Sequence, residues 1–206
     1  MKRVISLTAL VLAVILMLTG CSSGDTSAAN ASVKIIVAVP YVLEGAGDEF
    51  KAQLEQGLPE LNTEEKKLSV QWFNTGDTKA DPMSAMAGMT KITTMLIGKE
   101  IEIMICDADN AQRHGEGGST YMPLSQLFTA EEQAELGIVP LTVSKVDADG
   151  NATGEQSEAI GISLEGCEGV KNIFKMKDMG LYVIGTPETE ANIENIRTAV
   201  RYILSM

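Results

Sequence analysis

The chain has 206 residues and carries 28 acidic against 16 basic side chains, which gives a formal net charge of −12. A surface of this sign repels nucleic acid and anionic lipid, so a nucleic-acid-binding function is not expected. A chain of this length is enough for one domain built around one hydrophobic core.

The N-terminal segment has the pattern of a secretory signal. Two basic residues precede an apolar run from Val4 to Leu18, which is short for a membrane span of about 20 apolar residues. The run closes on Leu18-Thr19-Gly20-Cys21, which resembles the lipobox of bacterial lipoproteins. The resemblance implies a signal peptide over residues 1–20 and a mature chain that begins at Cys21 with diacylglycerol on its sulfur. The alternative is an ordinary cleaved signal followed by an unmodified cysteine.

A lipid anchor at Cys21 would hold the protein on the outer side of the bacterial cell membrane, because several acyl chains bind a bilayer stably. Residues 21–32 then form the lipidated cysteine and a small, polar stretch that predicts a flexible tether. Residues 33–206 are expected to fold as a single α/β domain. Removal of residues 1–20 would delete two basic side chains and no acidic one, so the mature net charge would be −14.

The first part of this domain alternates buried-type strands with helices. The strands are short apolar runs and are expected at 33–39, 68–73 and 101–106. A helix over 45–62 would bury Phe50, Leu54, Leu58 and Leu61. Strands separated by helices predict a three-layer α/β sandwich with a mainly parallel sheet and helices on both faces.

A second helix is predicted to begin at Pro82, with Asp81 as its N-cap, and to end near Gly98. Its inward side is expected to consist of Met86, Met89, Ile92, Leu96 and Ile97.

The second half of the domain is less regular. Thr129-Ala130-Glu131-Glu132 fits a capping box and predicts a helix that ends at Leu136. Strands are expected over 139–146 and 159–164, joined across the turn-rich stretch Asp147–Asn151. The remaining elements are a brief helix at 171–176, a buried strand at 180–185 and a last helix from about Asn192.

Together with the lipobox-like sequence, three segments resemble an extracellular solute-binding protein of the kind that feeds bacterial ABC importers. KIIVAVPY and IEIMICDADNAQRHGEGGSTYMPLSQLF look like its opening strands, and GLYVIGTPETEANIENIRTAVRYIL resembles the late strand and helix that return to its first lobe. The resemblance implies one lobe of a type II periplasmic-binding-protein-like fold. It also implies binding of a solute, in many members a sugar, and work with an ABC permease or a sensor. Members of that family are usually longer and close two lobes on the ligand, so the resemblance covers a single-lobe short form.

Ligands of open α/β sheets bind beyond the carboxyl ends of the strands. The polar residues that follow the first three predicted strands are the candidate ligand-binding set: Tyr41, Glu44, Asn74, Thr75, Gly76, Asp77, Asp107, Asp109 and Asn110. Carboxylates, amides and hydroxyls suit a carbohydrate, and they also suit a cationic solute. The alternative is that these residues only cap helices and turn the chain.

Three aromatic residues could offer stacking faces to a solute, namely Tyr41, Trp72 and Tyr121. Strand alternation places Trp72 on the same side as Val70, which favours a core position for it.

Metal binding is weighed at three places, and none is favoured. Met83, Met86 and Met89 could hold Cu(I), but the stripe continues into apolar residues, which indicates packing. The stretch from Asp147 to Glu158 partly matches a calcium loop, but it has Ala152 where the pattern needs glycine, so a hairpin turn is the better interpretation.

His114, the only histidine, could join Asp107, Asp109 and Glu116 in a hard metal site, although a lone histidine in a glycine-rich loop is more often solvated. No triad, zinc-protease or nucleotide-binding motif is present, so we predict no cofactor and no enzymatic activity.

Cys106 and Cys167 remain after the lipidated cysteine. An oxidising compartment permits a disulfide between them, while their apolar or glycine-rich surroundings favour burial as free thiols.

A second functional hypothesis also stays open: an envelope scaffold or accessory lipoprotein whose cleft is vestigial and whose acidic body binds another protein.

Overall fold

A six-stranded mixed sheet is the centre of the computed structural model, which describes residues 31–76 and 82–206. Its strands are β1 (Ala31–Val39), β2 (Lys67–Asn74), β3 (Ile103–Asp107), β4 (Pro140–Leu141), β7 (Gly161–Ser163) and β8 (Met179–Val183). Two further strands, β5 (Ser144–Val146) and β6 (Ala152–Gln156), form a separate hairpin. The predicted signal peptide, Cys21 and the tether up to residue 30 lie outside the described residues.

Eight α-helices are described around these strands. They are α1 (Ala46–Gly57), α2 (Pro82–Ile97), α3 (Ala108–His114), α4 (Leu124–Leu127), α5 (Ala130–Glu135), α6 (Glu168–Phe174), α7 (Pro187–Ala191) and α8 (Ile193–Ser205). Short 3₁₀ turns cover Pro59–Leu61 and Glu116–Gly118. The first strand begins at Ala31, so the last two residues of the predicted tether belong to the folded body, where Ser32 is buried.

The strand order in the sheet is β2-β1-β3-β8-β7-β4. Strand β1 pairs in parallel with β2 and β3, whereas β8, β7 and β4 each run antiparallel to the preceding strand in that order. The predicted α/β fold is confirmed, but the sheet is mixed rather than mainly parallel. Only the first three strands are joined by helical crossovers, which parallel neighbours need, while β4 and β7 are linked through the β5–β6 hairpin.

Both faces of the sheet are covered, as the continuous apolar run of β1 requires. Alternate residues such as Ile35 and Val37 pack against α1, α6 and α8 on one face. Their neighbours Ile36 and Ala38 pack on the other face, where Ile92 of α2 and Ala111 of α3 lie. The predicted helices on both faces are therefore present.

The first helix ends earlier than predicted, at Gly57, and a 3₁₀ turn replaces its last part. Its predicted apolar stripe is confirmed, because Phe50, Leu54, Leu58 and Leu61 are all buried.

The predicted inward side of α2 is right for Ile92, which is buried, and wrong for Met86 and Ile97. Met86 and Ile97 are 63% and 79% exposed, and the buried residues of this helix are Ala85, Ile92 and Met95. Gly88 lies on this inward side, and a Cβ there would be only 2.3 Å from the carbonyl oxygen of Asn74. Close approach of α2 to β2 at this glycine therefore fixes the rotation of the helix. Packing cannot explain the methionine stripe, since Met86 points away from the core.

The hairpin across Asp147–Asn151 is present, but its second strand was not predicted. The predicted strand over 139–146 is split into β4 and β5, and β5 pairs with β6. The carboxylate of Asp147 accepts hydrogen bonds from the backbone N–H groups of Asp149 and Asn151, both at 2.9 Å. This turn chemistry confirms the hairpin interpretation over the calcium loop.

The predicted capping box is confirmed at the start of α5. The hydroxyl of Thr129 accepts from the backbone N–H of Glu132 at 3.3 Å, and the Glu132 carboxylate accepts from the backbone N–H of Thr129 at 2.9 Å. The same carboxylate also accepts from Arg197 and Arg201 of α8. Glu132 therefore caps the start of α5 and links this helix to α8 through ion pairs.

The two cysteines are buried, as their surroundings predicted. Cys106 lies in the core cluster on the α2 side of the sheet and Cys167 in the cluster on the α1 side, so the sheet separates the two thiols. Burial raises the pKa of both thiols.

Candidate functional site

The ends of most strands lie along one side of the sheet, the strand-end edge. It comprises the residues that follow β1, β2 and β3, together with those that follow β7 and precede β8. The start of β8 lies at this edge because β8 runs antiparallel to β3. The end of β7 lies there because β7 in turn runs antiparallel to β8. All described members of the candidate ligand-binding set lie on or beside this edge.

Three of the candidates meet in one hydrogen-bonded cluster. Asp107 ends β3 and caps α3, because its carboxylate accepts from the backbone N–H of Asn110 at 2.8 Å. The Asn110 side-chain amide donates to the Thr75 hydroxyl at 2.9 Å and to both Asp107 oxygens at 3.1 Å. Thr75 and Asn110 are buried, so their polar groups need these partners. The cluster therefore closes the space between β2 and β3.

Two further candidates shape the loop after β1. The Asn74 side-chain oxygen accepts from the backbone N–H of Val42 at 2.8 Å, and Gly76 donates its backbone N–H to Pro40 at 3.0 Å. Gly76 has a left-handed φ of 65°, and a Cβ there would lie 2.7 Å from Ala85. For Asn74 and Gly76 the chain-turning interpretation describes what the structure shows.

The remaining candidates are spread along the edge. Tyr41, Glu44 and Asp109 are exposed, and Asp77 lies outside the described residues. The structure thus groups Thr75, Asp107 and Asn110, and it does not gather the other candidates around them.

The aromatic candidates differ in their surroundings. Trp72 packs beside the core against Gly47, where a Cβ would lie 2.1 Å from the indole ring, so the core position is confirmed. Tyr121 is buried, and its hydroxyl donates to the Ala111 carbonyl at 3.0 Å. The expectation of a stacking face at Tyr121 is therefore wrong, because the sequence does not show that its chain segment is covered.

A cavity of about 350 Å³ opens on the strand-end edge beside the Asp107 cluster. It lies between α3, the segment from β4 to β5 and the ends of β7 and β8. Residues that matter for its chemistry are Gln112, Leu141, Val143, Glu165, Asp178 and Tyr182. No member of the candidate set lines it, although Ala108, between Asp107 and Asp109, does.

The ring of Tyr182 is the floor of this cavity. Tyr182 is 3% exposed and lies over two glycines, since a Cβ at Gly161 would be 2.4 Å from its ring and one at Gly180 would be 2.8 Å from its hydroxyl. Burial raises the pKa of Tyr182, and the nearby Cys106 and Asp107 raise it further. Sequence reasoning missed this residue because GLYVIG indicates only a buried strand.

The acidic residues of the cavity lie at its rim. Asp178 immediately precedes β8 with a left-handed φ of 57°, and Glu165 follows β7, where its backbone N–H donates to the Ser163 hydroxyl at 3.3 Å. Both side chains are exposed residues of the strand-end edge. Neither residue belongs to a recognisable motif, and the pairing of β7 with β8 brings them to one opening.

His114 lies apart from this cavity, beside a second one of about 310 Å³ that Arg113 and Glu116 also line. It is 8% exposed rather than solvated, and its Nε2 has no hydrogen-bond partner. Burial lowers the pKa of His114, and the charge of Arg113 lowers it further. Among the described residues, no three His, Cys, Asp or Glu side chains are placed to hold a metal ion, so the possible grouping of His114 with Asp107, Asp109 and Glu116 does not form.

Within residues 31–76 and 82–206, none of the helices has the length and apolar character needed to cross a bilayer. Comparison of the chain with protein-family models, with curated proteins and with solved structures finds no match. Interpretation of the strand-end edge therefore depends on its own geometry and on the N-terminal sequence.

Proposed function

We propose that this protein is a membrane-tethered, extracytoplasmic solute-binding protein without enzymatic activity, which holds a small polar ligand in the cavity floored by Tyr182. The observation that carries the proposal is a buried tyrosine at the floor of an open cavity on the strand-end edge, where α/β sheets bind ligands. The cavity volume of about 350 Å³ is at the lower end of the range for small-molecule sites.

The position of the proposed anchor agrees with this function. Nine residues separate Cys21 from β1, which begins at Ala31. A chain of nine residues reaches at most about 30 Å. Because β1 enters the sheet at the end opposite to the strand-end edge, the cavity would open away from the membrane, toward a solute or a partner.

A single lobe leaves one side of the ligand uncovered. We therefore expect modest affinity in the isolated protein, and a second wall supplied by an ABC permease, by a sensor or by another copy of the chain. The ligand would be a carbohydrate or a cationic solute, according to the polar groups around the edge.

Native mass spectrometry of the full-length protein, purified from its own cells in a mild detergent, tests the proposal. The expected result is a population that carries one small molecule, which gentle collisional activation releases. The Gly180→Leu variant, whose side chain would fill the cavity floor beside Leu141, should lose this adduct while Gly166→Leu keeps it. An adduct that both variants retain would place the ligand elsewhere.

The anchor needs a separate test. Cells fed labelled palmitate should incorporate the label into the natural chain but not into Cys21→Ala, because the proposed acylation begins at this sulfur. The labelled protein should be found in the membrane fraction. Equal label in the Cys21→Ala variant would contradict the anchor without bearing on the cavity.

A second function is favoured by the exposed apolar side chains of the same edge. Five large ones are found in the loop after β1, in the first turns of α2 and just before β4, namely Tyr41, Leu43, Met83, Met86 and Val139. Val139 precedes β4 at the other edge of the sheet, while the four side chains that follow β1 and β2 suit a protein partner. Crosslinking from these positions in intact cells distinguishes the two: capture of an importer permease supports solute delivery, whereas capture of an unrelated envelope complex supports a scaffold with a vestigial cleft.

A further inference from the structure

The polar groups that line the cavity at Tyr182 are unequally available to a ligand. Gln112 is committed at both ends of its amide, since it donates to the Ser144 carbonyl at 2.9 Å and accepts from the Ser144 backbone N–H at 2.7 Å. Gln156 accepts from the Thr142 hydroxyl at 3.0 Å and donates to the Ser144 hydroxyl at 3.4 Å. Both amides therefore stabilise the wall of the cavity, and each has one N–H and one lone pair engaged there.

The hydroxyl of Tyr182 is available. Tyr182 is nine-tenths buried, it lines the cavity, and among the described residues its hydroxyl makes no hydrogen bond. By contrast, its ring partner Tyr121, 4.9 Å away between centroids, donates to a backbone carbonyl. The ring of Tyr182 is buried while its hydroxyl oxygen keeps contact with the open cavity, so an incoming group can hydrogen-bond it in place of solvent.

The charge of the cavity has one sign. Glu165 and Asp178 line it, and among the described residues no Lys, Arg or His side chain does. Neither carboxylate forms a direct ion pair with a described residue. Lys171 acts on Glu165 only at longer range and is itself paired with Glu168 at 2.7 Å. Asp107 is close enough to act on the Tyr182 hydroxyl electrostatically. The cavity thus offers two carboxylates that no direct ion pair within the described part of the chain occupies.

Part of the wall is apolar. Leu141 and Val143 line it beside the ring of Tyr182, and the exposed side chain of Val139 lies at its mouth. These side chains would bury a short hydrocarbon chain.

From these four observations we infer that the ligand of the cavity is a small aliphatic amine, bound as its ammonium form. The inference rests on the proposed function and narrows the class of ligand, because a sugar and an ammonium group need different hydrogen-bond partners from the protein. Carboxylates only accept hydrogen bonds, and an ammonium group only donates them, whereas each sugar hydroxyl must do both. Glu165 and Asp178 receive the ammonium group, the Tyr182 hydroxyl offers its oxygen as a further acceptor, and the apolar wall covers the carbon chain.

Calorimetric titration of the full-length protein in a mild detergent tests this assignment with cadaverine as the probe. The matched neutral compound is its diol analogue, which has the same carbon chain and hydroxyls instead of ammonium groups. We expect saturable heat with cadaverine, none with the diol, and weaker binding as salt is added, because the attraction is electrostatic.

Variants of the cavity locate the binding. Asp178→Asn and Glu165→Gln should each weaken cadaverine binding about tenfold or more, a loss of about 1.4 kcal/mol for each tenfold step. Glu60→Gln, an exposed acidic residue at the opposite end of the sheet, is the control and should bind like the natural protein. Tyr182→Phe removes the hydroxyl alone and should weaken binding several-fold while the thermal midpoint confirms that the variant folds.

The results distinguish a failure of the amine assignment from a failure of the proposed solute-binding function. Binding of neutral sugars or of the diol, with none of cadaverine, would overturn the amine assignment and leave solute binding intact. Cadaverine binding that Glu60→Gln weakens as much as Asp178→Asn would show attraction to net charge only and would also overturn the assignment. No heat with cadaverine, the diol or any sugar would count against the proposed function as well.

Discussion

The ring of Tyr182 fits above the sheet because two neighbouring positions are glycines. It lies opposite Gly161 on β7 and two residues from Gly180 on β8, and both glycines leave room for its ring above the sheet. With a side chain at either position, the ring would have to move into the space of the cavity. The site therefore depends on residues that touch no ligand themselves.

Replacement of Gly161 by alanine tests this packing. The new Cβ would lie 2.4 Å from the Tyr182 ring, so Gly161→Ala should lower the free energy of unfolding by about 1–3 kcal/mol through overpacking. Gly166→Ala is the matched control, since no atom lies within 4 Å of its Cβ position, and it should change the free energy by less than about 0.5 kcal/mol. Urea unfolding measures both; equal effects would show that the ring does not fill this space.

His114 predicts a pH dependence of stability. In the unfolded chain its imidazole takes up a proton near pH 6.5, whereas burial keeps the pKa in the folded chain lower. Between these two pKa values the unfolded state binds more protons, so the free energy of unfolding should fall as the pH drops below 6.5. Above that pH the imidazole is neutral in both states and the stability should be level with respect to this group.

Urea unfolding at several pH values between about 7.5 and 5 measures the effect, and His114→Leu should flatten the curve over this range. The carboxylates with lowered pKa, such as Glu188, titrate below 4.5 and do not interfere. A slope that persists unchanged in His114→Leu would mean that another group causes it.

Residues whose partners are close in the sequence were predictable, and residues with distant partners were not. Asp107 and Asn110 form a local cap, so their place after β3 could be read from the chain. Tyr182 and Glu165 reach the same cavity only because β7 pairs with β8, which no local pattern shows. The strand-end edge was therefore predicted correctly, while the cavity along it was not.

At the level of elements, α2 shows how an apolar sequence can conceal the rotation of a helix. Met, Ala, Ile and Leu occur on every side of it, so hydrophobic spacing alone does not select one face. Gly88 selects it, because only this residue permits the close contact with the end of β2. The apolar residues on the outer side of α2, namely Met83, Met86 and Ile97, are therefore exposed.

Two isoleucines of α2 provide a matched test of this rotation. Ile92 is fully buried and Ile97 is 79% exposed, although both were predicted to face inward. Ile92→Ala should cost about 2–5 kcal/mol in the free energy of unfolding, because it leaves a cavity in the core. Ile97→Ala should change it by less than about 0.5 kcal/mol. If Ile97→Ala were the more damaging variant in urea unfolding, the rotation of α2 would be wrong.

The antiparallel half of the sheet could not be derived from element order. Strands β1, β2 and β3 alternate with helices, and their parallel pairing follows from that alternation. After β3 the chain contains short helices and the β5–β6 hairpin, and β8, the last strand in the sequence, lies between β3 and β7 in the sheet. Sequence reasoning correctly gave the last strand and helix but not the direction of that strand.

At the scale of the whole molecule, the start of β1, which follows the proposed anchor, lies at one end of the sheet, and the cavity with its carboxylates opens at the other. Anionic lipid headgroups would repel the carboxylates at the cavity, which favours an orientation with the cavity away from the membrane.

Backbone amide NMR of the full-length protein in detergent, recorded during titration with aliphatic amines and neutral sugars, shows directly whether the strand-end cavity holds a solute. We expect at least one compound to shift resonances saturably, and the shifted residues to cluster in 139–144, 163–165 and 178–182. Tyr182→Phe should reduce those shifts. Spectra that no compound changes, or shifts centred on His114 or on the β5–β6 turn, would contradict the claim that the strand-end cavity holds the solute.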